Sequence, residues 1–332
     1  MTTQLFNTLA SAKATSDTSK AQTGLIPKHL LEIMGDDLTA ALFDDSVCEI
    51  MLNPDGRLFT EYKDGKICEL KRMTSQNAHT FCLTVASLFT EGFSHNKPLV
   101  SCALDFTNAR FEAVLPPLSA EATFCIRRHM RSSPDLTGLI SNGMLSSEQN
   151  KFLQGILKAR RSLIVCGETG AGKTTLLCAL LQSLKNLFPY ERIISIEDTA
   201  EISCDLRNFV PLFTSEHCKA DELVRASLRL RPDRIVMGEI RGAEALDMLD
   251  AFTTGHHGSM ATLHAGNPSQ ALNRLCLLIS RHPRAPSRIE SMVGNSLDLL
   301  LQLEAKPSRH LAAIYEVKGY EHNEFLISKL CI

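Results

Sequence analysis

Gly167-Glu168-Thr169-Gly170-Ala171-Gly172-Lys173-Thr174, residues 167–174, fits the pattern G-x-x-x-x-G-K-[ST] in full. The octet follows a short apolar run, 162–166, that reads as a buried strand. Thr175, Leu176, Leu177 and Leu180 then open a helical period. A glycine-rich turn with a chance lysine would not carry both flanks. The glycines let backbone amides turn inward around phosphates, and the helix N-terminus adds positive potential there. Lys173 is placed to bridge the β- and γ-phosphates, and the Thr174 hydroxyl to bind Mg²⁺. ATP with Mg²⁺ is therefore the expected ligand. Gly167 through Thr174, with Thr175, form the expected nucleotide-binding loop.

Further along the chain, two apolar runs end in carboxylates. Ile193-Ile194-Ser195-Ile196 leads into Glu197-Asp198, and Arg234-Ile235-Val236-Met237-Gly238 leads into Glu239. In parallel sheets the ligand groups gather at strand C-termini, so both acids are expected beside the phosphate loop. Glu239 is the expected base that orients water towards the γ-phosphate, with Glu197 assisting. Many phosphate-loop enzymes place an Asp just before this Glu to hold the metal, whereas this chain has Gly238. Glu197 and Asp198, with Thr174, are the expected substitute around Mg²⁺. Arg231 and Arg241 flank Glu239 and are expected to contact phosphate. The stretch Thr254-Gly255-His256-His257-Gly258-Ser259-Met260-Ala261-Thr262-Leu263-His264 puts two histidines before a strand and His264 at its end, facing the γ-phosphate. No third or fourth ligand stands at a spacing that favours a zinc site.

The 332 residues suggest two domains. With 44% apolar and 22% charged residues the composition is that of a globular protein, and the net charge of -2 supplies no general attraction for nucleic acid. There is no apolar run of membrane-spanning length, and Met1 to Ala10 lack a secretory pattern. Eleven scattered cysteines, an odd count without C-x-x-C, read as reduced cytoplasmic thiols, with Cys125 and Cys166 expected to be buried in strands. Residues 1–24 read as a disordered tail. Residues 25–131 read as a small α+β domain, with helices at 25–43 (interrupted at Gly35) and 75–91, and strands at 47–52, 57–62, 99–106, 110–115 and 122–128. Residues 132–147, holding Pro134, Gly138 and Gly143, read as a linker. Residues 148–332 alternate helices with apolar strands at 162–166, 192–196, 234–237 and 260–263, which argues a parallel sheet between helices. Asn267-Pro268 is a good helix start, and 296–332 returns to strand-like alternation.

The phosphate loop, the Glu197-Asp198 box, the Gly238-Glu239 strand end and the His256–His264 box, in this order, resemble the bacterial secretion and conjugation traffic ATPases. Within that family the chain looks most similar to the TrbB type. This rests on Met51-Leu52-Asn53-Pro54-Asp55-Gly56-Arg57-Leu58, Arg110-Phe111-Glu112-Ala113-Val114-Leu115-Pro116-Pro117 and Thr123-Phe124-Cys125-Ile126-Arg127-Arg128. The resemblance implies a RecA-like α/β ATPase domain behind a smaller N-terminal α+β domain, a homohexameric ring, and ATP held between the two domains. It also implies that Arg127, Arg128 and Arg110 reach the phosphates, Arg127 with a catalytic part. Loss of that contact on hydrolysis is expected to let one domain swing about the linker. The implied work is hydrolysis of ATP to energise a type IV secretion or conjugation system. The enzyme would sit in the cytoplasm, peripheral to the inner membrane, with apparatus proteins as partners and no direct contact with nucleic acid. A pilus-retraction or type II secretion motor shares the same core. A nucleic-acid motor would show DNA-stimulated turnover, and a non-catalytic assembly protein would show none.

Overall fold

The computed structural model describes residues 27–332 apart from 64, 91–97, 105, 108, 129–134 and 216. The expected tail at 1–24 and positions 132–134 of the expected linker lie outside the described residues. The chain divides into two compact units, Met1–Met130 and Arg131–Ile332.

In the first unit, helix α1 (Lys28–Phe43) bends where Gly35 takes φ 70° and ψ 175°. It is followed by β1 (Val47–Leu52), β2 (Leu58–Tyr62), β3 (Ile67–Glu69), α2 (Ser75–Phe89), β4 (Leu99–Leu104), β5 (Ala109–Val114) and β6 (Thr123–Arg128). The strands form one antiparallel sheet in the order β3-β2-β1-β6-β5-β4. Asn53-Pro54-Asp55-Gly56 makes the β1–β2 turn, with Gly56 at φ 81° and its N–H donating to Asn53 O at 2.9 Å. The α2 helix starts at Thr74, whose side chain accepts from Asn77 N, and buries Ala78, Phe81, Cys82, Val85 and Ala86. Phe81 meets Phe111 edge-on at 5.7 Å and Phe124 at 5.1 Å between ring centres, so helix and sheet share one aromatic core. Alternation along β5 and β6 buries Phe111, Phe124 and Ile126 and turns Arg110 and Arg127 to the other face.

The second unit begins earlier than the sequence suggests. Much of the expected linker is folded: α3 (Leu136–Ser141) buries Leu136 and Leu139, and Met144 and Leu145 join the same core. Then come α4 (Ser147–Lys158), β7 (Leu163–Gly167), α5 (Lys173–Leu187), β8 (Ile193–Glu197), β9 (Phe209–Phe213), α6 (Ala220–Ser227), β10 (Arg234–Met237), α7 (Ala245–Thr253), β11 (Met260–His264), α8 (Pro268–Ile279), α9 (Ile289–Ser296), β12 (Leu299–Glu304), β13 (His310–Glu321) and β14 (Glu324–Lys329). Their sheet order is β14-β13-β12-β7-β11-β10-β8-β9, parallel from β12 to β9 and antiparallel at the β13–β14 edge. All five residues of β7 are buried, as a strand covered on both faces requires. The capping box of α4 pairs Ser146 with Gln149, and Asn267 caps α8 with Pro268 in its first turn, the start its sequence indicates.

At the sheet edge where the parallel strands begin, Arg234 is wholly buried. It donates to Glu191 Oε2 at 2.7 Å, Gly258 O at 3.2 Å and Leu157 O at 3.2 Å, and its guanidinium lies 5.2 Å from the Phe188 ring centre. Arg160 also pairs with Glu191. One buried carboxylate thus serves two arginines. Leaving Arg234 without these partners would cost about 3–5 kcal/mol. Gly258, at φ +80°, has no room for a side chain, because a Cβ there would stand 2.3 Å from Arg234 Nη1. Gly258→Ala is expected to lower the unfolding free energy by about 2 kcal/mol or more, through positive φ and displacement of a buried ion pair. Denaturant unfolding measures it, and an unchanged midpoint would refute the tight fit.

Candidate active site

The parallel register decides what meets what. His264 stands opposite Gly167 across β11 and β7, and Leu303 stands opposite Gly167 across β12. The C-terminal tips of β7, β8, β10, β11 and β12 therefore share one edge, and the phosphate loop rises from its centre. Gly170 and Gly172 take φ 76° and 92°, which aims successive amides into the loop, and Gly172 caps α5 from the left-handed region. Gly167 is required for space: a Cβ there would stand 2.7 Å from Leu303 O.

Lys173 is buried, and its Nζ donates to Gly167 O at 3.0 Å and Glu168 O at 2.9 Å. It lies 3.4 Å from His264 Nδ1. Burial holds its ammonium below the usual lysine range, an effect opposed chiefly by nearby Glu239. On the other side of the His264 ring, Nε2 lies 3.6 Å from Glu239 Oε1. Burial, then the charge of Lys173, push the imidazole below its ordinary range, against the pull of Glu239. His264 is thus a neutral ring between a cation and a carboxylate. Arg241 forks across the two acidic strand ends, donating to Glu239 Oε2 at 2.7 Å and Asp198 Oδ2 at 2.8 Å. Asp198 also accepts from Thr214 Oγ1 at 2.8 Å. A cleft of about 630 Å³ opens beside Glu239 and Arg241, with Asp198, Lys219, Arg284 and Glu244 among its walls.

Glu197 turns inward. It is 6% exposed and accepts from Glu201 N at 3.1 Å and Ile202 N at 2.8 Å. Desolvation pushes its carboxyl up to about 7, more than the two amide bonds lower it. Its side chain also explains Gly238. A Cβ on residue 238 would stand 3.0 Å from Glu197 Cγ, so the space an Asp would enter is filled by a carboxylic acid from the neighbouring strand.

Glu201 has a part that its sequence position does not suggest. Its Oε2 accepts the Thr174 hydroxyl at 3.2 Å, and it lies close enough to Lys173 and Arg241 to support their charges. A hydroxyl and a carboxylate side by side at the end of the phosphate loop are hard oxygen donors of the kind Mg²⁺ takes. The residues present therefore fit this ion, with Thr174 and Glu201 nearest in place, Glu197 behind them and Asp198 held by Arg241 and Thr214.

Other expected site residues fall elsewhere. Arg231 is exposed at φ 55° and precedes β10, at the edge opposite the phosphate loop; the parallel sheet separates it from Glu239 within the chain. His256 sits at that same far edge, with Nδ1 3.2 Å from Pro232 O. In the first unit, Arg127 Nε donates to Glu49 Oε1 at 2.6 Å, and Arg110 Nε donates to Glu112 Oε1 at 2.6 Å; register places Arg110 beside Arg127. Arg128 donates to Asp44 O and, at 3.1 Å, to Asp45 Oδ1, just past the end of α1, while its buried Nε has no hydrogen-bond partner among the described residues. Cys166 is buried and Cys125 only half-buried; desolvation pushes their thiols up to about 12 and about 11, which leaves both inert. Among the described residues no helix is long and apolar enough to cross a membrane.

A parallel sheet with a central phosphate loop, carboxylates on the neighbouring strand tips and a β7 flanked by β11 and β12 defines a RecA-like P-loop α/β protein. Residues 102–310 match the family described as Type II/IV secretion system protein, and the chain belongs to that family. It is similar to the probable conjugal transfer protein TrbB of Sinorhizobium fredii, with 35% identity over 90% of this chain and 92% of the relative. It is also similar to the type IV secretion system protein PtlH of Bordetella pertussis, with 30% identity over 78% of this chain and 86% of that one. The ATPase DotB of Legionella pneumophila shares the fold with a TM-score of 0.56 at 17% identity, covering 79% of this chain and 73% of that one.

The Glu197 carboxyl gives a pH signature. Between its usual value near 4.5 and about 7, the folded chain holds a proton there that the unfolded chain releases. Stability therefore falls as pH rises through that window and levels above it. Glu197→Gln keeps an oxygen for the two amides and removes the ionisation. In chelator without nucleotide, the variant is expected to match the parent near pH 5 and to exceed it near pH 8 by on the order of 2–3 kcal/mol. Thermal melts across pH check this, and a pH-independent difference would refute it.

Proposed function

We propose that this chain binds ATP at the loop around Lys173 and hydrolyses it, and that a ring of like subunits uses the cycle to drive a type IV secretion or conjugation apparatus. The observation that carries the hydrolytic reading is the line Lys173–His264–Glu239, with contacts of 3.4 Å and 3.6 Å, running from the start of α5 to the tips of two adjacent strands. Lys173 exchanges its two loop carbonyls for the oxygens of the β- and γ-phosphates. Glu239 accepts a proton from water as the water oxygen bonds to the γ-phosphorus, and the bond from that phosphorus to the bridging oxygen breaks with its electrons going to ADP. For Glu239 to do so, Arg241 must loosen its hold, which makes that guanidinium the group that sets where the carboxylate points. Mg²⁺, when bound through Thr174 and Glu201, supplies charge neutralisation at the phosphates.

Arg127 and Arg110, adjacent in register, are the arginines we assign to phosphate from this subunit or a neighbour, where a fork of donors stabilises transition-state charge. Arg128, which donates to Asp44 O and Asp45 Oδ1 in this structure, is the third arginine we assign to the same phosphate. The secretion or conjugation role rests on the similarity to the TrbB and PtlH proteins over most of their lengths. We place the enzyme in the cytoplasm against the apparatus at the inner membrane, with protein rather than nucleic acid as direct partner, in keeping with a net charge of -2.

Glu239→Gln is expected to bind ATP within about threefold of the parent and to lose at least about 100-fold in kcat, the range of general-base removal. Turnover and equilibrium titration measure the two separately, and parental turnover would refute the assignment. Light scattering after size exclusion, with and without a non-hydrolysable ATP analogue, tests the ring; a monomer under both conditions would remove it.

A further inference from the structure

The phosphate loop has two flanks. Glu239, just past β10, and His264, at the end of β11, occupy the flank that receives the γ-phosphate. β7 has β12 on its other side, and the turn after β12 comes back against the loop. A Cβ placed on Gly172 would stand 2.9 Å from Met144 Cε and 3.9 Å from Arg309 Cδ. Met144 is buried and Arg309 is exposed, so the thioether underlies the flank while the arginine stem lies along it with its head outward. The turn carrying Arg309 leads straight into β13, whose start is tied in place: Leu311 N donates to Met144 O at 2.9 Å, and Gln149 Nε2 donates to Leu311 O at 3.0 Å. Among the described residues Arg309 has no ion-pair partner, unlike Arg241, Arg234, Arg127 and Arg128.

We propose that Arg309 recognises the base end of the nucleotide, its guanidinium lying against the purine. This rests on the ATP-binding reading above. With the terminal phosphate drawn towards Glu239 and His264, the opposite end of the molecule leaves the loop on the β12 side, past Gly172. There it meets a planar cation on an anchored turn, supported below by a buried methionine. A guanidinium plane stacks on an aromatic base, and this interaction tolerates exposure because Arg is weakly hydrated.

The test separates base from phosphate. Isothermal titration of the full chain with ATP and with inorganic tripolyphosphate compares a ligand that has a base with one that has none. Arg309→Ala is expected to weaken ATP binding by about tenfold and to leave tripolyphosphate within about twofold. Arg309→Lys, which keeps charge without the plane, is expected to remain weakened for ATP. Equal loss for both ligands, unchanged ATP affinity, or full rescue by lysine would overturn the proposal. A parent protein that binds neither ligand would instead defeat the ATP-binding reading itself.

Discussion

Everything at the site depends on the parallel hydrogen bonding of β7 between β11 and β12. That register sets Gly167 against His264 on one side and Leu303 on the other. A slip of one residue would turn alternate side chains of the central strand to the wrong face. It would also lift the loop off the carbonyl of Leu303, against which only a glycine fits. Parallel strands bring their C-termini to one edge, so loop, acids and histidine converge although they are scattered over about a hundred residues of sequence. No single local interaction could hold that geometry; the buried sheet does.

The opposite edge must be equally well fixed, since each strand is a rigid rod between the two. There Arg234 joins the end of α4 through Leu157 O, the entry to β8 through Glu191, and the entry to β11 through Gly258 O. These are the strands whose far ends carry Glu197 and His264. A buried arginine satisfied by two carbonyls and a carboxylate locks relative strand position in a way that apolar contacts do not, because each partner is directional. The histidine-rich stretch thus works at both ends: Gly258 and Ser259 fix the start of β11, and only His264 reaches the phosphate edge.

The sequence announced the phosphate loop, the acidic strand ends, the strands of the central sheet and the helix start at Asn267-Pro268, because each is specified by local chemistry. The remaining features carry local signals that point elsewhere. β9 contains Pro211, which argues against a strand, but β9 is the outer strand, where a missing N–H costs no ladder bond. Pro134, Gly138 and Gly143 read as linker punctuation, yet Leu136 and Leu139, three apart, gave α3 an apolar face to bury. Glu201 looks like one more loop acid; its approach to Thr174 follows from Glu197 turning inward and pulling the backbone of 201 and 202 onto its carboxyl. Arg231 looked like a flanking cation of Glu239, and only the direction of β10 shows that the two face opposite edges.

The absent aspartate before Glu239 has its explanation in that same inward turn. A side chain at 238 and the side chain of Glu197 compete for one volume, and the chain fills it from β8 instead of from β10. The exchange changes the electrostatics. An aspartate at the strand tip would carry full charge beside Glu239. A buried glutamic acid whose carboxyl titrates near 7 carries only part of one at neutral pH. The repulsion between neighbouring carboxylates is correspondingly reduced. Glycine at 238 is therefore the condition under which the proton-holding Glu197 fits against this strand tip, with Arg241 bridging Asp198 and Glu239 above.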